Sequence, residues 1–124
     1  MILHTKDAIL NKDDKVIQKI FVKPWNSEVY IRVMSSRERD AFEMSVIPSD
    51  GTTQMKLNNF RARLAACCLC DEQGNNLFTE KDALELGKKS SIALNIIATA
   101  VKSLNGISAE VERDILKNLG GVQD

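Results

Sequence analysis

One change of hydrophobic period sets the limits on how this chain folds. An alternation of two between residues 16 and 33 gives way, from residue 35 onward, to repeats of three and four. Val16 to Val22 is rich in β-branched and aromatic residues, with Val16, Ile20 and Val22 on one face. Val29 to Val33 alternates more cleanly, placing Val29, Ile31 and Val33 inward and Glu28, Tyr30 and Arg32 outward. Pro24-Trp25-Asn26-Ser27 lies between them, short enough to join antiparallel neighbours, and its proline cannot donate to a ladder and so belongs at the bend. The pattern predicts a β-hairpin over 15–34. Two strands are marginal in water by themselves, so the hairpin must lay its apolar face on helices or extend another sheet.

The helical part, 35–119, is punctuated by caps. Ser35 stands three residues before Glu38, the capping-box spacing, and opens a helix that runs through Phe42 toward Val46 and stops before Pro48. Pro48 to Thr53 is the most turn-rich stretch and is expected to be mobile. From Gln54 to Cys70 an amphipathic helix is predicted, with Leu57, Phe60, Leu64, Cys67 and Cys68 on its apolar face. Asp71 to Asn76 reads as a turn whose Gly74 permits positive φ. Leu77-Phe78 then returns to the core, and Thr79 with Asp82 opens a short helix through Leu86, weakened at Gly87. Ser91 to Leu104 is the most apolar segment; its polar residues Ser91, Asn95, Thr99 and Lys102 or Ser103 form one narrow stripe, so this helix is covered on most sides. Gly106 suits a left-handed helix end. Ser108 caps a last helix with Glu110 and Glu112 near its start and Val111, Ile115, Leu116 and Leu119 as its buried edge. The expected architecture is α+β: a single domain over 1–124, with a loose arm (1–14), an N-terminal antiparallel β-hairpin packed on a small bundle of about four to five α-helices, and a flexible tail (120–124).

A chain of 124 residues buries about two-thirds of its unfolded surface, so neither metal nor disulfide support is required. Its 17 basic and 17 acidic side chains cancel, which removes any long-range field for nucleic acid or anionic lipid. No stretch approaches the ~20 apolar residues of a membrane span, and Met1 to Leu10 lacks the basic start and apolar block of a secretion signal. Cys67, Cys68 and Cys70 are clustered and odd in number, pointing to reduced thiols in cytoplasm.

Catalytic chemistry finds little support. His4, the single imidazole, lies in the loose arm, away from any nucleophile it would have to activate. Cys67 and Cys70 have C-x-x-C spacing, but at a helix C-terminus, where the dipole opposes thiolate; packing is the better reading. Three crowded thiols offer zinc no second ligand pair, and aligning Gly74 with a calcium loop puts Leu69 at the first ligand position. Arg32, Arg37, Arg39, Arg61 and Arg63 are the candidates for a phosphate-binding face, yet Glu28, Glu38, Asp40 and Glu43 interleave with the first three. No catalytic residue, cofactor site or metal site is assigned. Trp25, after a proline at a hairpin tip, reads either as a core anchor or as a partner contact.

Val22-Lys23-Pro24-Trp25, Val29, Arg32-Val33-Met34-Ser35 and Glu38-Arg39 form one familiar stretch. Asp71-Glu72-Gln73-Gly74, Leu77-Phe78-Thr79, Asp82, Leu86, Lys89-Ser90 and Leu104-Asn105-Gly106 form another. Together, over roughly Ile20 to Leu119, they resemble the tail assembly chaperones of long-tailed (siphovirus-type) bacteriophages and prophages. Asn26 departs from the pattern, in which glycine is more usual. The resemblance implies a non-enzymatic cytoplasmic protein of the host bacterium that binds the tape-measure protein, recruits tail-tube subunits and is absent from the mature virion. It also implies a homo-oligomer and a frameshift-extended longer form, which the Gly120-Gly121 tail would tolerate. The client surface is expected on the outer hairpin face, at Pro24, Trp25 and Tyr30, and on exposed parts of the 91–104 helix, whose apolar surface exceeds what the other elements cover. Two rival classes are a small cytoplasmic adaptor or nucleic-acid-binding regulator, and a thiol redox protein.

Overall fold

The alternation between residues 16 and 33 becomes two antiparallel strands, β1 (Ile17–Val22) and β2 (Ser27–Arg32), in a register pairing Ile17 with Arg32 and Val22 with Ser27. The computed structural model describes residues 2–45 and 60–119. A 3₁₀ turn, Lys23–Trp25, carries Pro24 where its missing N–H costs nothing. Asn26 closes the loop in the left-handed region, at φ 48°. Asparagine is one of the few non-glycine residues that tolerates this region, which accounts for its presence where glycine is more usual.

A third strand corrects the sequence reading. The helix predicted through Cys70 ends at Cys68, and β3 (Leu69–Cys70) pairs antiparallel with β2, Ile31 beside Leu69 and Tyr30 beside Cys70. The sheet order is β1-β2-β3. Two ladder residues satisfy backbone groups on β2 that an isolated hairpin leaves open, outweighing continuation of the helix.

Six α-helices are present among the described residues. In the arm, α1 (Lys6–Leu10) is capped by Thr5 and buries no side chain. The second, α2 (Ser36–Ser45), starts from the expected capping box: Glu38 N–H donates to Ser35 Oγ (3.1 Å) and Ser35 N–H to Glu38 Oε1 (2.8 Å). Of α3 (Phe60–Cys68), Phe60, Ala62, Leu64, Ala65, Ala66 and Cys68 are buried, so it is a central helix covered nearly all round rather than an amphipathic one. Thr79 and Asp82 form their capping box ahead of a 3₁₀ turn and α4 (Ala83–Leu86). Ser90 caps α5 (Ser91–Leu104), and Gly106 ends it at φ 68°, with Ile107 N–H returning to Lys102 O (2.8 Å) and Gly106 N–H to Ser103 O (3.3 Å). Ser108 Oγ accepts from Val111 N–H (3.2 Å) at the start of α6 (Ala109–Leu119).

α5 is the spine. It packs along α3 on one side and carries the inner face of β1 and β2 on another, while α3 also packs on α4. Val22, Ile31, Leu64, Ile97 and Val101 are fully buried where these layers meet. Ala93, Leu94 and Ala98 are buried as well, so most of the apolar surface of α5 is covered within the chain; Ile92, 66% exposed, is the large apolar residue left out. That removes the expected surplus on this helix. Val16 is also more open than the strand pattern requires: it stands one residue before β1, at the end of the ladder, where Val33 N–H still donates to its carbonyl. No single helix among the described residues is long and apolar enough to cross a membrane. The expectations for Pro48 to Thr53, for Leu57 and for the 120–124 tail lie outside the described residues.

Candidate functional site

The outer face of the hairpin is not uniform, and Arg32 shows why. Strand alternation places it outward, yet it is only 7% exposed. After β3, Asp71 ties a tight turn by accepting Gln73 N–H (2.9 Å) and Asn75 N–H (2.9 Å), while Gly74 takes φ 90°. That turn lies against β1: a Cβ on Gly74 would stand 3.0 Å from Ile17 Cδ1, so glycine is needed for the close approach as well as for φ. One end of the outer face is thereby roofed, and Arg32 and Cys70 are buried beneath it.

Every Arg32 donor finds an acceptor there. Nε donates to Asn76 Oδ1 (2.9 Å), Nη1 to Glu38 Oε1 (2.8 Å) and Val33 O (3.2 Å), and Nη2 to Glu38 Oε2, Asn76 Oδ1 (2.6 Å) and Cys67 O (3.3 Å). Asn105 extends the node: its Oδ1 accepts Met34 N–H (2.7 Å), and its Nδ2 donates to Val101 O (2.9 Å) and Arg32 O (3.5 Å). The Arg32 hydrogen bonds hold the Glu38 carboxyl down to about 2, and Glu38 in turn raises the guanidinium above its ordinary value. Two of the interleaved acids pair with the arginines as expected, at Arg32–Glu38 and Arg39–Glu43, the first around a buried guanidinium rather than on solvated surface; Glu28 pairs with Lys19 instead.

Beside this node lies a groove of about 380 Å³, walled by Ala41 and Phe42 of α2, Ala66 of α3, Ala83 of α4 and Leu77 and Phe78 of the intervening loop. Glu38 and Asn76 lie at its margin, together with Arg63, Cys67 and Thr79. Arg63 pairs with Glu80 (3.5 Å), and its Nε is buried without an acceptor among the described residues. Leu77 was expected to turn into the core; it is instead exposed on the groove wall, because Phe78 takes the inward position. Leu84, also exposed, lines a neighbouring depression that shares Arg63, Glu80 and Ala83. Such a surface, apolar with a few polar groups at the margin, has the size and lining of a site that accepts apolar side chains.

The residues singled out in the hairpin do not form one surface. Trp25 is half-buried against the core, and its turn touches α5. Tyr30 alternates with buried Ile31 and so stands on the opposite, outer face; Pro24 is exposed at the tip between them. A strand reverses sides at every residue, and the 3₁₀ turn folds Trp25 back toward the inner side.

The three thiols are free. Burial pushes Cys67 up to about 11 and Cys68 up to about 12, and Cys70, now in a strand, is raised by the same cause. Folded protein should therefore react with iodoacetamide at pH 7.5 at least about ten times more slowly than a free cysteine peptide. A thiol labelling at the peptide's rate would revive the redox reading. Among the described residues, no group of three or more His, Cys, Asp or Glu side chains is placed to hold a metal ion.

Neither protein-family models, nor curated proteins, nor solved structures compared with the chain match it.

Proposed function

We propose that the chain is a tail assembly chaperone of a long-tailed phage or prophage, acting in the host bacterial cytoplasm by holding apolar helical segments of the tape-measure protein and recruiting tail-tube subunits. One observation carries this reading. The two stretches on which the resemblance rests converge on buried Arg32: Arg32 and Glu38 from the first and Asn105 from the second meet by direct hydrogen bonds, joined by Asn76 of the turn that lies within the second. Residues 44 and 73 positions apart are thus tied into one device, and local turns arising independently would not require that.

The groove beside the node supplies the grip. An amphipathic helix laid along it would bury apolar side chains against Phe42 and Phe78, with Leu77 and Leu84 covering its flanks. Modest contacts spread over exposed leucines also permit release, which an assembly factor absent from the finished particle requires.

Ala41 is exposed on the groove wall, so Ala41→Trp fills the groove without entering the core. Co-expressed tape-measure protein should co-purify with the wild type and fall at least about tenfold with Ala41→Trp at an unchanged melting temperature. Equal recovery with both proteins would remove the groove as the client site, and no recovery with the wild type would remove the function.

A further inference from the structure

The geometry points to a second interaction surface, the free edge of β1, and we infer that its occupant is β1 of a second copy of this chain, paired antiparallel about a two-fold axis at Ile20. In the sheet order β1-β2-β3, β1 has a strand neighbour on one side alone among the described residues. Val33 N–H donates to Val16 O (3.0 Å), which makes Val16 and Val33 a hydrogen-bonded pair. Alternation along the ladder then turns the backbone groups of Gln18, Ile20 and Val22 toward β2, and those of Ile17, Lys19 and Phe21 toward the open edge. Three N–H and three C=O groups are thus presented in a row.

The occupant follows from self-complementarity: β1 fits its own copy in one register. The inner faces of two copies must form one continuous face, so even residues have to oppose even ones. Two symmetric registers satisfy this while pairing five of the six β1 residues, one centred on Lys19 and one on Ile20. The first sets two ammonium groups directly opposite each other. The second places each Lys19 beside the other copy's Phe21 on the outer face, an aromatic ring that is 53% exposed in the single chain, and joins the two Ile20 side chains on the inner face. Lys19 therefore disfavours one register and attracts in the other. In the favoured register Val16, 46% exposed, lies opposite Pro24 at a position where no ladder hydrogen bond is made, so proline's missing N–H costs nothing.

Proline at residue 21 removes an N–H that faces outward and leaves the ladder to β2 intact. Sedimentation of the full chain between about 1 and 100 µM should show self-association, weakened at least about tenfold by Phe21→Pro with circular dichroism unchanged. Mild oxidation should cross-link Ile20→Cys between copies, whereas Gln18→Cys, far from its own mate in this register, should not cross-link. A wild type that stays monomeric over that range overturns the proposal, as does association indifferent to Phe21→Pro. If Phe21→Pro fails to fold, the cross-link decides, and an Ile20→Cys protein that does not cross-link overturns it. Neither readout uses a client protein, so this surface stands or falls separately from the proposed function.

Discussion

Replacing Arg32 with methionine should lower the free energy of unfolding by about 3 kcal/mol, or roughly 10 °C in melting temperature. Methionine fills much of the same space, so the loss is electrostatic and polar rather than a cavity. It strands Asn76 Oδ1 and the Cys67 carbonyl under the 71–76 turn and leaves Glu38 without its partner. Glu38 is partly exposed and rehydrates, which keeps the cost below that of breaking a fully buried pair. Urea unfolding of the two proteins measures the difference; a change under about 0.5 kcal/mol would mean that the node is ornamental.

Acid sharpens the same test. A carboxyl held at about 2, against an ordinary value of 4.5, stabilises the fold above its unfolded pKa and loses that contribution as the pH falls through the folded value. The gap between wild type and Arg32→Met should therefore narrow by about 1–2 kcal/mol between pH 4.5 and pH 2, after allowance for solvent screening at Glu38. A gap that stays constant over that window would place the stabilising role of Arg32 in its bonds to Asn76 and Cys67 rather than in the ion pair.

The sequence was most legible where a signal closes within a few residues. Ser35 with Glu38, Thr79 with Asp82, Ser108 and Gly106 each act on backbone groups three to five positions away, so residue type and spacing suffice to place them. The burial of Arg32 closes over 44 positions, through a turn that strand alternation does not register. β3 was hidden for a related reason: Leu69 and Cys70 continue an apolar helical pattern, and only their pairing with β2 decides otherwise. A usable signal was the Asp71 turn itself, since a tight turn directly after two apolar residues is as compatible with a strand end as with a helix end. The groove was not legible at all, because its walls come from three helices and a loop.

Phe42→Ala should give the largest effect on the groove, and it should do so by releasing a single helix. α2 carries an unusually polar sequence and buries one side chain completely, Phe42, which meets Phe60 edge to face at 5.5 Å between ring centroids. The capping box and the Arg32–Glu38 pair hold the start of α2, but beyond them Phe42 is its sole fully buried contact with the core. Removing the ring costs about 3–4 kcal/mol, comparable to the whole local stability of a helix docked in this way. Amide exchange should therefore rise by at least about a hundredfold across Arg39 to Ser45, while Ile97 and Val101 in α5 keep most of their protection. Because α2 forms one wall of the groove, the function proposed above requires that tape-measure retention fall in parallel. Uniform loss of protection across α2 and α5 would show instead that α2 unfolds only with the entire domain, and that the groove wall is as rigid as the core behind it.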